Sequence, residues 1–318
     1  MKKKFVYLCS LFWRYRQMKN KIVWAYLAAT LTTLLWGVSY LWSDSLLDND
    51  IPVEFFVPVR MLLAGILLGI INKVSGQSMK IQRKGDILFF LLLSLCVPFI
   101  YFLAETYGLK FTESPTITSL IVASNPIFSM VTGMVIFKEK FGRLNILGVF
   151  ITLSGLWLVT YSHSNTGPLF LLGIAIIFIA VVSEVSQIAF TKSLSSRYAP
   201  SVIVMYQFLI GSVFFAPLFF TKGIASFDPQ VYFSWKVLYP TLSLALLCSA
   251  TAYTSWAFAI KVLGVARTSV FLAVVPLITA IAALATDNET FTALQWEGLA
   301  IGMVGLYLTQ LPGKEEAR

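Results

Sequence analysis

Hydrophobic positions along this chain fall in unbroken blocks of about twenty rather than in the spaced stripes of a soluble helix. Residues 22–43, 114–137, 237–260 and 268–286 each run without one charged residue, longer than the roughly 18 that mark a transmembrane helix candidate. Six more blocks, at about 53–72, 87–107, 144–161, 168–190, 200–221 and 293–311, have similar length and few charges. The pattern therefore predicts an all-α membrane protein with ten transmembrane helices. Strands are excluded by length, since a tilted barrel strand needs only about ten residues and backbone groups in lipid must be satisfied within the segment.

The connections are short and rich in turn formers, such as Asp48-Asn49-Asp50 and Ser162 to Gly167. None has room for a soluble domain. The expected organisation is a basic cytoplasmic leader at 1–21, five-helix units at 22–161 and 168–311, and a cytoplasmic tail at 312–318. Met18 offers a second start, so the chain leaves Met1 and Met18 open as the natural one. Lys and Arg set the orientation: with the N-terminus inside, twenty fall in loops on that side and three (Lys110, Lys222 and Lys236) on the other. By the positive-inside rule both termini belong in the cytoplasm and the protein in the cytoplasmic membrane.

Composition agrees with that picture. Hydrophobic residues make up 58% of the chain and charged ones 12%, half the usual share for a soluble domain, and the mean hydropathy is +0.80. The net charge of +9 is spread over many loops as topology signal, so nucleic acid is not an expected partner. Enzyme chemistry has little to stand on. The single His163 sits in an outer loop, Cys9, Cys96 and Cys248 are scattered, and no metal spacing, nucleotide loop or acid/base cluster is present. No cofactor is expected, and the expected reading is not an enzyme.

The chain matches itself at an offset of 150. Asn125-Pro126 faces Val275-Pro276, Glu139 faces Glu289, Gly148 faces Gly298 and Gly155-Leu156 faces Gly305-Leu306, while Lys110 with Lys261 and Cys96 with Cys248 fit with a slip of one or two. Five helices per copy is an odd number, so the second copy enters the membrane inverted. An inverted repeat places a pseudo-two-fold axis in the membrane plane and lets a central site open to either side in turn, the geometry of secondary transporters.

Trp36-Gly37-Val38-Ser39-Tyr40, Arg60-Met61-Leu62-Leu63-Ala64-Gly65 and the repeated order of Pro126, Lys138-Glu139-Lys140, Gly148 and Gly155 resemble the ten-helix drug/metabolite transporters of EamA type. The resemblance covers nearly everything from about residue 20. It implies a cavity lined mainly by helices 1, 3, 4, 6, 8 and 9, outward transport, and a substrate among amino acids, other small metabolites and drugs. Asp287-Asn288-Glu289-Thr290 departs from the Gly-Glu pair usual at that place in the second copy.

Charges inside the spans are the first candidates for chemistry, because one at a helix centre costs about 2.5–3.5 kcal/mol and must face protein, water or a partner. Arg60 and Glu105 lie in the outer halves of their helices; they either pair across the cavity or serve separately, Arg60 holding helix 2 to helix 1 and Glu105 reaching the interface. Glu184, beside Ser183, Ser186 and Gln187, is the first choice for a proton or substrate-amine site, since a carboxylate kept from water favours its neutral form and releases the proton when wetted. Its alternative is to reach for the headgroups and Lys192. Glu297 next to Trp296 reads as an interfacial pair. Glu139 and Glu289 read as architecture, each favouring a helix N-terminus.

Pro126 and Pro276 interrupt helices 4 and 9 at matched places and are hinge candidates. Trp36, Tyr40, Tyr101, Tyr253 and Trp256, with Asn125 and Gln187, are the candidate substrate-contacting residues, the aromatic rings offering stacking surfaces or a cation seat. Gly148, Gly155, Gly298 and Gly305 fall every seven residues and read as a close-packing face. The expected function is secondary transport of a small organic solute by alternating access, with possible partners limited to that substrate, the lipid bilayer and protons. Because ten helices enclose a site unaided, monomer and homodimer both stay open. The rival readings are a polytopic enzyme and a membrane receptor without transport activity.

Overall fold

The computed structural model describes residues 2–128, 142–161, 167–225, 227–264, 267–268, 270–286 and 289–310. Glu139, the Lys138-Glu139-Lys140 motif and His163 lie outside them. Among the described residues there is no strand. The main helical elements among the described residues follow in order: α1 (Lys2–Asp48), α2 (Val53–Val74), α3 (Asp86–Thr112), α4 (Pro115–Val122), α5 (Arg143–Tyr161), α6 (Pro168–Ser195), α7 (Pro200–Gly223), α8 (Trp235–Leu263), α9 (Val270–Ala285) and α10 (Ala293–Thr309), with one short helical turn, Pro229–Tyr232, between α7 and α8. Seven of them, α1 to α3 and α5 to α8, contain stretches long and apolar enough to cross a membrane, and α9 is a shorter apolar helix. The basic leader is not separate from the first span: α1 runs unbroken from Lys2.

Local sequence sets the starts. Proline occupies the first turn of α4, α6, α7 and of the α-helical part of α9, where its missing N–H costs nothing and its φ suits the helix. Ser114 accepts from the Ile117 amide at 3.1 Å, and Thr292 with Gln295 closes a capping box at α10. Outward faces stay apolar: Leu144, Leu147, Phe150, Trp157 and Tyr161 of α5 are all exposed, a surface that suits hydrocarbon rather than water.

Packing follows the sequence repeat. α2 lies on α7, α4 on α9 and α5 on α10; α1 packs on α8 and α9, as α6 packs on α3 and α4; α2 meets α8, as α7 meets α3. Exchanging α1–α5 for α6–α10 carries this set of contacts onto itself, which is the pseudo-two-fold of two inverted five-helix units. The α5/α10 contact is built on the repeated glycines. A Cβ added at Gly155 would sit 2.3 Å from the Gly302 nitrogen, and one at Gly305 would sit 2.3 Å from the Thr152 nitrogen, so backbone touches backbone there.

Two helices are broken at the paired cysteines. α3 opens into wide turns over Leu95–Ile100, with Val97 outside helical geometry, and α8 does so over Leu244–Ala252. The freed carbonyls find partners on the other repeat. Ser183 Oγ donates to the Cys96 carbonyl at 2.7 Å and Gln207 Nε2 to that of Val97 at 2.8 Å, while Trp36 Nε1 donates to Cys248 at 3.3 Å and Thr32 Oγ1 to Ala252 at 3.0 Å. Each of the four is a backbone group in mid-membrane that needs such a donor.

The prolines sit where helical geometry resumes. In α4 the chain bends at 123–124, one step before Asn125-Pro126; in α9 a 3₁₀ stretch, Val270–Val274, gives way to α-helix at Val275-Pro276. Glu289 does not cap the helix that follows it. Its carboxylate accepts from the hydroxyls of Ser114 and Thr116 at the N-terminus of α4, joining the α9–α10 connection to the other repeat.

Candidate functional site

A cavity lies where the two repeats meet, between α1, α2, α3, α4, α6, α8 and α9. Its wall includes Trp36, Ser39, Tyr40, Arg60, Tyr101, Phe102, Glu105, Ser119, Glu184 and Tyr253. The free space at its centre is about 40 Å³, enough to admit water.

One wall is aromatic. Trp36 on α1 stacks edge-on against Tyr253 of α8, centroids 5.0 Å apart, with its indole N–H committed to the broken turn of α8. Tyr253 also meets Phe208 at 5.2 Å, and Tyr101 meets Phe102 at 4.9 Å. These contacts fix the ring planes, and rigid aromatic faces in a water-poor site suit stacking on an apolar ligand portion.

The other wall is charged. Tyr101 donates to Glu105 Oε1 at 2.7 Å, one helical turn away on α3, and Tyr40 is its second hydroxyl neighbour. Arg60, 3% exposed, lays its guanidinium over the Phe102 ring, 4.1 Å from the centroid, and its Nε has no hydrogen-bond partner. Glu184 projects from α6 into the same space, and its buried Oε2 has no partner either. Arg60 and Glu105 share the cavity without forming an ion pair: among the described residues the pairs within 4.0 Å are Arg197–Asp86 and Lys222–Glu54.

Of the candidates from sequence, Trp36, Tyr40, Tyr101, Tyr253, Arg60, Glu105 and Glu184 come together here. Trp256 stands behind the wall, stacked on Trp36 at 5.2 Å. Gln187 accepts from Gln207 at 3.2 Å, next to the α3 break. Asn125 is buried at the α4 bend with its Oδ1 unpartnered, and neither Pro126 nor Pro276 touches the cavity, although Val275 does. Glu297 is exposed at the start of α10.

Ser39, noted only as part of the Trp36–Tyr40 motif, also lines the cavity, as do Ser119 and Phe102, which carried no signal, being ordinary small or apolar residues in apolar runs. Glu54 was likewise passed over; it is 5% exposed, accepts from Tyr107 at 2.5 Å and lies 4.0 Å from Lys222, away from the central cavity. Among the described residues no group of three His, Cys, Asp or Glu is placed to hold a metal.

The sequence pattern of the EamA-like transporter family matches residues 23–161 and again 171–311. The chain belongs to the EamA-like transporter family. It is a multi-span membrane protein of a transporter family, and the double match falls on the two units that the packing exchanges. Similar proteins include an uncharacterized transporter of Archaeoglobus fulgidus, 26% identical over 89% of this chain and 96% of its own length. The uncharacterized transporter YetK of Bacillus subtilis is 22% identical over 85% of this chain and 82% of its own. A probable terminal-alkyne amino-acid exporter of Streptantibioticus cattleyicolor is 28% identical over 60% and 62%. A solved crystal structure superposes with a TM-score of 0.67, covering 92% of this chain and 99% of its own at 14% identity, which is likeness of fold.

Proposed function

We propose that this EamA-like protein is a secondary transporter that exports a small organic solute (a metabolite, amino acid or drug) across the cytoplasmic membrane by alternating access. The observation that carries the reading is the central cavity: Arg60, which is buried, and Glu184, whose Oε2 is buried, face one small space between the repeats, and neither Arg60 Nε nor Glu184 Oε2 has a hydrogen-bond partner. Charge in the membrane interior is costly and is kept where solutes or protons pass. A receptor has no need of that arrangement at the junction of exchangeable halves, and a catalytic reading has no activated nucleophile beside it.

The moving parts in this reading are the units 22–161 and 168–311, with the bend at Asn125-Pro126 and the restart at Val275-Pro276 as paired hinges. In the same reading the leader 1–21 and tail 312–318 lie in the cytoplasm, which the Lys and Arg distribution supports. Export is supported by the likeness to the Streptantibioticus protein, which is named a probable exporter. Glu184 is the coupling group: it takes a proton from the outside and gives it up when the solute enters from within. The titratable and charged groups facing it are Glu105, Tyr40, Tyr101, Tyr253 and Arg60, of which Glu105 is already held by Tyr101. Each proton carried inward brings about 2.3 kcal/mol per 100 mV.

The test is efflux from liposomes holding the purified protein, loaded with radiolabelled amino acids and organic cations, with and without an imposed pH gradient. Efflux of one solute class that the gradient accelerates, lost in Glu184→Gln, is the expected result. Downhill efflux indifferent to pH removes Glu184 from the mechanism, and no movement of any solute removes transport.

A further inference from the structure

A second recess lies on a different face of α3 from the central cavity. Tyr101, Phe102 and Glu105 face that cavity. Ile100, Leu103, Ala104, Tyr107 and Phe111, spaced by three or four, share another side of the helix and line an open groove of about 470 Å³. Ile176 of α6 and Leu218 of α7 complete its apolar walls. The volume lies within the ~300–1,000 Å³ of ordinary ligand sites.

The groove has the depth of one leaflet. From Phe111, next to the end of α3, back to Ile100 is eleven residues, about 16 Å of helix at 1.5 Å each, close to half of the roughly 30 Å hydrocarbon layer. The flanking helices turn apolar side chains outward beside it, with Leu172 and Ile179 of α6 and Phe220 of α7 exposed.

Its mouth is polar and carries both signs of charge. Glu54 at the start of α2 and Lys222 at the end of α7 line it, with Lys222 Nζ 4.0 Å from Glu54 Oε1 and side chains 67% and 7% exposed. A pair with so exposed a lysine is weak, and the ammonium is free to turn to another anion. Tyr107 donates to the same Oε1 at 2.5 Å. Among the described residues no hydrogen bond reaches Glu54 Oε2, so a carboxylate only 5% exposed keeps one oxygen in want of a donor.

We infer that this groove binds one phosphatidylethanolamine molecule, with an acyl chain along α3, its ammonium on Glu54 Oε2 and its phosphate on Lys222. The two-carbon bridge of that headgroup holds its charges about as far apart as the 4.0 Å between Lys222 Nζ and Glu54 Oε1. An ammonium brings three N–H donors to the open oxygen. Phosphatidylglycerol satisfies Lys222 but sets a second negative charge beside Glu54 with nothing to offset it. Phosphatidylcholine keeps both charges, yet its quaternary nitrogen has no N–H to donate. The site is separate from the central cavity and does not depend on transport.

The experiment is native mass spectrometry of the purified, delipidated full-length protein in detergent, titrated with phosphatidylethanolamine, phosphatidylcholine and phosphatidylglycerol of identical acyl chains. One phosphatidylethanolamine binds at least ~10-fold more tightly than either of the others, the difference expected for one charge-assisted hydrogen bond. Glu54→Gln brings phosphatidylethanolamine down to the level of phosphatidylcholine, Lys222→Ala weakens all three lipids, and Ile176→Trp, which takes up groove space, weakens all three without changing their order. The wild-type order alone decides the matter if a variant fails to fold. Equal binding of the three lipids, a preference for phosphatidylglycerol, or no saturable first site overturns the inference.

Discussion

The α5/α10 contact makes a sharp claim about single methyl groups. In Gly155→Ala the new Cβ falls 2.3 Å from the Gly302 nitrogen, 2.5 Å from the Gly298 carbonyl oxygen and 2.6 Å from the Gly302 Cα. All three are backbone atoms, so no side chain can rotate away. Ordinary contact begins near 3.4 Å, and the helices must therefore part by about 1 Å. A gap of 0.5–1 Å forfeits a quarter to a half of each dispersion contact along the seam. It also strains the bonds from Asn145 Nδ2 to the Thr309 and Leu308 carbonyls, now 3.0 and 3.3 Å. Overpacking of this kind costs about 1–3 kcal/mol, and the rigidity of the blocking atoms places it in the upper half.

The comparison variants are Gly302→Ala, whose Cβ has Leu120 Cδ1 at 3.4 Å as its nearest neighbour, and Gly85→Ala, which meets nothing within 4 Å at φ −66. Both should stay within about 0.5 kcal/mol of the wild type. The assay is unfolding in mixed micelles, followed by tryptophan fluorescence and by size-exclusion after heating. Gly155→Ala as stable as Gly85→Ala would refute the close approach, and so would equal losses at Gly155 and Gly302.

Two further substitutions probe the joints between the repeats. Gln207→Leu removes the donor to the Val97 carbonyl and leaves a buried acceptor unpaired at the α3 break, at a cost of about 1–3 kcal/mol; the same micelle titration reads it, and an unchanged midpoint contradicts the role given to Gln207. Glu289→Ala against the double variant Ser114→Ala/Thr116→Ala forms a mutant cycle, expected to show a coupling of about 0.5–3 kcal/mol. Strict additivity would mean that the carboxylate contributes nothing across the N-terminal ends of α4 and α10.

Much of the architecture was legible because lipid imposes crude rules. A block of twenty apolar residues has one way to satisfy its backbone, and an odd number of spans per repeat forces inversion. The glycines 148, 155, 298 and 305 were readable as a face because helical period alone aligns them. The cysteine pair at 96 and 248 was visible as a repeat, but not the opened turns there, since these depend on Ser183, Gln207, Trp36 and Thr32 arriving from the other unit. Likewise Arg60, Glu105 and Glu184 stood out by their cost in the membrane, whereas their convergence depends on how α2, α3 and α6 are turned relative to each other. Nothing in one helix records that. Ser119 is invisible for the same reason, and Glu289 was misdirected because its partners, Ser114 and Thr116, lie some 170 residues away in sequence.

The central claim is that one cavity between the repeats is reached from both sides of the membrane in turn. Ser39 lines it, held by its hydroxyl to the Trp36 carbonyl at 2.7 Å. In a chain with Cys9, Cys96 and Cys248 replaced by Ala, Ser39→Cys is exposed to a membrane-impermeant thiol reagent in right-side-out and in inverted vesicles. The account predicts labelling from each face. Labelling from one face alone, whatever solute is added, would contradict it.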